Sequence, residues 1–274
     1  MRRRYLIFFV LIIGVCSGCS GVGRRVKTEE VPQEEMVVEV PSKKLPVGEK
    51  LLYKIRWLGM TVGEGTLWIK EIVTVNGQEA YHVIAEARSN KILNPIYKIE
   101  DRVETFIDVK GLYALKFIKD QREGRYRAHE VVEFDHEKGI GYYKSLTNGS
   151  EKEFKITRFT QDTLSCLYYF RTLKLEIGKP VFVNVSSDEK NWEVRVDILE
   201  GARVAIRGLG EYEAVMIEPV TEMQGVIIRK GRMIAWVSSD EHRYPLTVQT
   251  EAPIMGKVIA CLDSIEKIDD TSQE

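Results

Sequence analysis

The residue types that could support catalysis gather in one run, Ser238-Ser239-Asp240-Glu241-His242-Arg243. A serine, a histidine and an acid are the parts of a nucleophile, its base and the group that orients the base. Triad members converge from separate elements, and consecutive residues rarely can. A polar turn between a strand ending at Ser238 and another beginning near Tyr244 accounts for the serine, the aspartate and Pro245 equally well. Ser165 sits in Asp162-Thr163-Leu164-Ser165-Cys166, without the flanking glycines of a hydrolase elbow, and is expected to be a helix residue. The histidines at 82, 129, 136 and 242 form no HExxH, HxH or CxxC partnership, so no local zinc signature exists. The sequence therefore predicts no catalytic residue, no metal ligand and no enzyme, with a hydrolase built on Ser238, Ser239 and His242 as a remote alternative.

Binding chemistry has more candidates. Asp162 and Arg171 bracket an apolar run, where an acid caps a helix start and a cation suits its finish. The functional alternative places Arg171 in a cavity, facing an anionic headgroup. Tyr168, Trp57 and Trp236 would line that cavity with it, although aromatics are more often simply core. The expected ligand-contacting set is thus Arg171, Tyr168, Trp236 and Trp57. Lys116, Lys119, Arg122, Arg125 and Arg127, interleaved with Phe117 and Tyr126, are locally basic. They read as a solvated hairpin with edge-protecting charges, with an anionic-lipid face as the alternative.

These residues need positioning. Leu164, Leu167, Tyr168 and Arg171 recur at i, i+3, i+4 and i+7, and Cys166, Tyr169 and Phe170 fill most of the other side. A helix of about residues 161–174, apolar nearly all round, must be wrapped by something curved. Elsewhere the chain reads as strands. Tyr81, Val83, Ala85 and Ala87 alternate with His82, Ile84, Glu86 and Arg88, and Asn76-Gly77 is a strong hairpin signal. Further turns at Lys110-Gly111, Glu123-Gly124, Lys138-Gly139 and Asn148-Gly149 separate short strands, about fourteen in all. The expectation is a mainly β fold: one large, strongly curved antiparallel sheet, half-barrel or barrel-like, around a central helix. Residues 45–267 form this single domain, and 268–274 are a disordered tail.

The remaining features concern location. Arg2, Arg3 and Arg4 precede an apolar run from Tyr5 to Val15, too short for the roughly 20 residues of a membrane span and suited to a secretory signal. Cys16-Ser17-Gly18-Cys19 resembles the lipobox of bacterial lipoproteins, although Cys16 stands where an aliphatic is usual. The resemblance implies a signal peptide over 1–18, acylation of Cys19 with palmitate-type chains, and a lipid-anchored flexible tether over 19–44. The expected location is the cell envelope, on the outer membrane facing the periplasm rather than the inner membrane. The 40 basic and 41 acidic residues are interspersed, which gives nucleic acid no field to follow. Cys166 and Cys261 lie in apolar surroundings and are expected to be buried free thiols.

Taken in order, several pieces resemble the domain-of-unknown-function family numbered 3108, found in exported and lipid-anchored envelope proteins. They are Pro46-Val47-Gly48-Glu49 with Tyr53, Gly63 and Gly65, Asp108 with Gly111-Leu112, and Phe134-Asp135. Gln161-Asp162 with Ser165 and Tyr168 to Arg171, and Trp236 with Asp240, Arg243, Tyr244 and Pro245, complete the match. Gln161, Asp162, Ser165, Asp240 and Pro245 are thereby marked as structural-motif residues. The resemblance implies an antiparallel β domain outside the cytoplasm and supplies no catalytic residues. A looser fold analogy is to lipoprotein-localisation carriers, whose half-barrels hold acyl chains. The functional expectation is a non-enzymatic envelope lipoprotein, held on its membrane through the lipid, that binds a lipid, another hydrophobic molecule or an acylated partner in the sheet's concavity. No cofactor is expected beyond the covalent lipid at Cys19. The alternative is a structural or interaction module with a filled core.

Overall fold

The computed structural model describes residues 43–223, 226–227, 232–252 and 256–268. The signal peptide, Cys19 and nearly all of the tether and tail fall outside them. The elements are β1 (Glu49–Trp57), β2 (Met60–Val75), β3 (Gln78–Ser89), β4 (Glu100–Asp108), β5 (Ala114–Glu123), β6 (Tyr126–Asp135), β7 (Ile140–Ser145) and β8 (Glu151–Lys155). Then come α1 (Ser165–Phe170), β9 (Val181–Ser187), β10 (Lys190–Ile206), β11 (Gly210–Met223), β12 (Val226–Ile227), β13 (Arg232–Ser238), β14 (Pro245–Ala252) and β15 (Gly256–Lys267).

Alternation builds the wall. In β3, Tyr81, Val83, Ala85 and Ala87 are at most 3% exposed and face the interior, while His82, Glu86 and Arg88 face out. Tight turns keep neighbours antiparallel: Leu58-Gly59, Asn76-Gly77 and Asp188-Glu189 each carry two consecutive positive φ angles, the type I′ geometry that matches strand twist. Gly63 is needed for another reason, since a Cβ there would stand 2.6 Å from the Arg88 carbonyl oxygen on β3.

The sheet runs β8-β7-β6-β5-β4-β3-β2-β1-β15-β14-β13-β11-β10-β9, with β12 paired to β11 alone. Strands consecutive in the chain lie side by side along that path except at β11 and β13, which β12 separates in sequence, and at β1 and β15, where the first and last strands meet over nine residue pairs from Glu49↔Lys267 to Trp57↔Val258. The edges are β8 and β9, which are consecutive, so the structure is a barrel left open at one seam. The connection between them crosses that seam. Gln161 pairs in parallel with Val185, its N–H donating to the Asn184 carbonyl (2.9 Å) and its carbonyl accepting from Ser186 N–H (2.7 Å). On the other side Ala114 N–H donates to the Thr160 carbonyl at 3.2 Å, and Gln161 Nε2 to the Leu112 carbonyl at 2.8 Å.

α1 is shorter than the expected 161–174, because Gln161 is spent on the seam and Arg171 already closes the C-terminus. Its position is nonetheless central. Leu164 and Tyr168 enter the main core with Leu51, Tyr53, Leu67, Val83, Val103 and Leu262. Phe170 enters a second core formed by β9, β10, β11 and β13, and Tyr169 packs against both. The helix is a plug joining two halves of one interior. Among the described residues no helix is long and apolar enough to cross a membrane.

Candidate functional site: the interior of the open barrel

Arg171 follows the plug directly, and its guanidinium ends among three elements. Nη1 and Nη2 donate to Glu49 Oε1 and Oε2 at 2.7 and 3.0 Å, a bidentate pair from the first residue of β1. Nε and Nη2 also donate to the His242 carbonyl at 3.1 and 2.9 Å. The group lies over the Tyr168 and Tyr244 rings, 5.4 and 5.7 Å from their centroids. Arg171 is 4% exposed and Glu49 6%. Burial opposes the arginine's charge, and the Glu49 carboxylate more than offsets it, so its pKa rises. Burial also pushes the Tyr53 and Tyr168 hydroxyls up, and Tyr244 to about 12.

The run from Ser238 to Arg243 forms the turn that supplies this carbonyl. Asp240 Oδ1 accepts from Ser238 Oγ (2.8 Å), His242 N–H (3.0 Å) and Arg243 N–H (3.2 Å), while Ser238 Oγ accepts from Tyr244 N–H (2.8 Å). The serine and the aspartate are thus bonded into the turn, and the His242 ring projects outward to stack on Tyr244 at 4.9 Å. Pro245 receives the Tyr53 hydroxyl on its carbonyl at 2.9 Å.

At the start of the plug, Asp162 Oδ1 accepts from the Leu164 and Ser165 N–H groups at 2.7 and 2.8 Å, and Ser165 Oγ returns a bond by accepting from Asp162 N–H at 2.8 Å. This reciprocal arrangement satisfies donors that a helix start leaves open. Thr105 Oγ1 of β4 donates to Asp162 Oδ2 and ties the plug to the wall. Burial pushes the Asp162 carboxyl up to about 6 against these bonds.

The residues expected to line one ligand cavity do not do so together. Arg171 and Tyr168 are sealed at the plug, Trp236 is a half-buried neighbour of the main core, and Trp57 packs in a separate cluster with Ile55, Val62, Leu93 and Ile99. The basic hairpin also divides. Lys119 turns inward onto Glu130 at 2.6 Å, Lys116 pairs with Glu133 at 2.9 Å and Arg122 with Asp120 at 2.9 Å.

A buried acidic pair went unnoticed in the sequence. Lys119 stands opposite Val103, and Glu123 opposite Ile99, which puts Gln121 beside Asp101 on the inner face. Asp101, Gln121 and Glu123 are at most 2% exposed. Asp101 Oδ1 accepts from Arg122 N–H at 2.8 Å and Glu123 Oε2 from the Tyr97 hydroxyl at 3.2 Å. Asp101 Oδ2 and Glu123 Oε1 receive no hydrogen-bond donor from the described residues, and burial pushes the Asp101 carboxyl up. Burial, then the Asp101 charge, pushes Glu123 up to about 8. The available signal was the period of two through Phe117, Lys119, Gln121 and Glu123, which runs inward from the core.

A family model described as a protein of unknown function (DUF3108) matches residues 52–263. No curated protein matches. Among solved structures the chain is similar to a β-barrel-like protein of domain of unknown function DUF1849 from Brucella abortus, with a TM-score of 0.55 and 12% identity, covering 81% of this chain and 98% of that one. That likeness concerns the fold alone, an antiparallel barrel-like sheet. Looser matches are a protein described as a lipoprotein from Parabacteroides distasonis (TM-score 0.34, 8% identity, 80% and 95% covered) and an exported protein with a YmcC-like fold from Bacteroides fragilis (0.30, 9%, 82% and 99%).

Proposed function

We propose that this chain, which belongs to the DUF3108 family of proteins of unknown function, is a non-enzymatic, lipid-anchored protein of the bacterial cell envelope that works through the outside of a plugged barrel. The observation that carries this reading is the plug. Leu164 and Tyr168 are at most 1% exposed within the main core, and the one cation considered for an anionic headgroup is held by Glu49 instead. A carrier would need that space and that charge. The filled-core module is therefore preferred over a lipid carrier with Arg171 at its site. Anchoring rests on the Cys16-Ser17-Gly18-Cys19 run, with an acyl chain on Cys19 and the outer membrane, facing the periplasm, as the location.

Native mass spectrometry with lipid extraction tests the core, using the chain from Ser20 onward purified from a bacterial envelope. The expected result is a mass without passenger and no gain when lipids are offered. A stoichiometric lipid would overturn the plugged reading. Labelling with radioactive palmitate, abolished by Cys19→Ser, tests the anchor.

A further inference from the structure

We infer that the barrel end opposite the Arg171 lock is a docking face for an anionic lipid bilayer. This rests on the reading that the outside is the working surface, and it names the surface and its partner.

Three adjacent turns build the face. The β1–β2 turn is held to the β3–β4 loop by Asn90, whose Nδ2 donates to the Thr61 carbonyl at 2.7 Å and whose N–H donates to the Val62 carbonyl at 2.8 Å. That loop is held to the β5–β6 turn by Gly124 N–H on the Lys98 carbonyl at 2.8 Å and by the Tyr97 hydroxyl on Glu123. Leu93 anchors the loop from beneath, in the cluster with Ile55 and Val62.

Large aliphatics project from these turns. Leu58 is 71% exposed, Met60 48%, Ile92 53% and Ile96 77%. They are four of the eleven exposed large hydrophobics among the described residues, and Ile96 and Leu58 are the two most exposed of all. Scattered single residues need no explanation, whereas a concentration at one end marks a contact. Trp57 and Tyr97 stand half-buried at their base, the placement in which amphipathic rings meet a membrane interface.

Charge selects the partner. Residues 56–61, 88–98 and 124–127 contain Arg56, Arg88, Lys91, Lys98, Arg125 and Arg127 and no acidic residue, in a chain with 41 acids. Lys98 and Arg88 reach Glu100 and Glu86 on the strands below, at 2.8 and 3.6 Å. Arg56 and Arg127 donate to carbonyls of their own turns, which leaves their charge uncancelled. Protruding aliphatics ringed by cations suit insertion among acyl chains beneath anionic headgroups. A flat apolar face would suit a protein better than separate tips do.

The test is vesicle flotation of the chain from Ser20 onward, which carries no acyl group. Vesicles are phosphatidylcholine alone, or phosphatidylcholine with about one third phosphatidylglycerol. Binding is expected on the anionic vesicles and is expected to fall with salt, as screening dictates. Leu58→Asp with Ile96→Asp should weaken it at least about tenfold, and Arg125→Glu with Arg127→Glu should weaken it on anionic vesicles to the neutral level. Both pairs of positions are exposed, so an unchanged melting temperature checks that the variants fold. No flotation at low salt, or flotation indifferent to both variants, overturns the docking face. So does a dimer in solution that the Asp variant splits while vesicles stay unbound. The mass spectrum of the core decides the plugged reading independently of either result.

Discussion

Replacing Arg171 with alanine is the sharpest test of the plug, because it removes one half of an ion pair whose partner stays behind. Glu49 is 6% exposed and receives both guanidinium nitrogens, so the variant strands a carboxylate in the interior. Breaking a buried pair from one side costs about 3–5 kcal/mol, and the His242 carbonyl loses two donors as well. For a unit of this size each kcal/mol moves the melting temperature by about 2–4 °C, so a fall of roughly 6–20 °C is expected. Replacing both partners with apolar residues, Glu49→Leu with Arg171→Met, should recover most of the loss, since two matched apolar groups leave no charge unpaired. Urea denaturation of the wild type, Glu49→Leu, Arg171→Met and the double variant, followed by tryptophan fluorescence, gives the coupling energy directly. A coupling below about 0.5 kcal/mol would mean that the pair is solvated, as exposed pairs are, and that this end of the barrel is open after all.

Glu123 should set a pH slope of its own. Its folded pKa of about 8 lies above the ordinary 4.5, so the folded protein keeps a proton the unfolded chain has lost, and stability should fall as pH rises between those values. Glu123→Gln should flatten the slope and gain roughly 3–5 kcal/mol near pH 9; parallel melting profiles from pH 5 to 9 would refute the buried pair. Asp162→Ala removes the acceptor for two backbone N–H groups and for Thr105, and should cost about 2–4 kcal/mol in urea, while Asp162→Asn, which keeps Oδ1, should cost less. Cys166 and Cys261 are free but half-buried rather than fully buried as expected; burial pushes the Cys166 thiol up to about 12 and the Cys261 thiol in the same direction, so both should react slowly with a disulfide reagent at pH 8 and faster once the protein unfolds. Rapid labelling of the native protein would contradict that packing.

Local rules carried the wall of this barrel and failed at its closures. Asn76-Gly77 and the alternation of β3 are written in adjacent residues, and both are found where the sequence puts them. The alternation from Asn191 to Leu199 breaks before Arg203 in the sequence, yet one strand, β10, runs through with a bulge between Ile198 and Glu200. Gly201 lies inside that strand, where a Cβ would make only ordinary contact with Ile177 Cδ1 at 3.4 Å. The pairing of β1 with β15 joins residues some two hundred positions apart and leaves no trace in any short window. Arg171 shows the same limit. A cation at a helix end has a sufficient local explanation in the dipole, and nothing nearby announces Glu49, 122 residues earlier. Lys119 was grouped with its basic neighbours because charge is visible in sequence, whereas the face it occupies is visible only by counting in twos from Phe117.

The two ends of β1 separate the two roles. Glu49, at its start, belongs to the Arg171 lock, and Trp57, at its finish, belongs to the basic and apolar tips, roughly 30 Å apart at the rise of an extended strand. Lys43 feels the charges of Arg171 and Arg243, so the described chain enters at the locked end. The 24 residue-to-residue steps from Cys19 to Lys43 have a contour of at most about 86 Å, well beyond the length of β1. Were Cys19 acylated as proposed, that contour would let the tips reach the same membrane, and one acyl-bearing terminus plus one electrostatic face would make the two signals that stable attachment requires. Deleting residues 24–39 from the acylated protein leaves too little contour for the domain to turn over. If both contacts serve one bilayer, that deletion should abolish the protection of Ile96→Cys from a water-soluble thiol reagent on anionic vesicles, whereas the full-length tether should preserve it. Equal labelling of the two would place the tips away from the anchoring membrane.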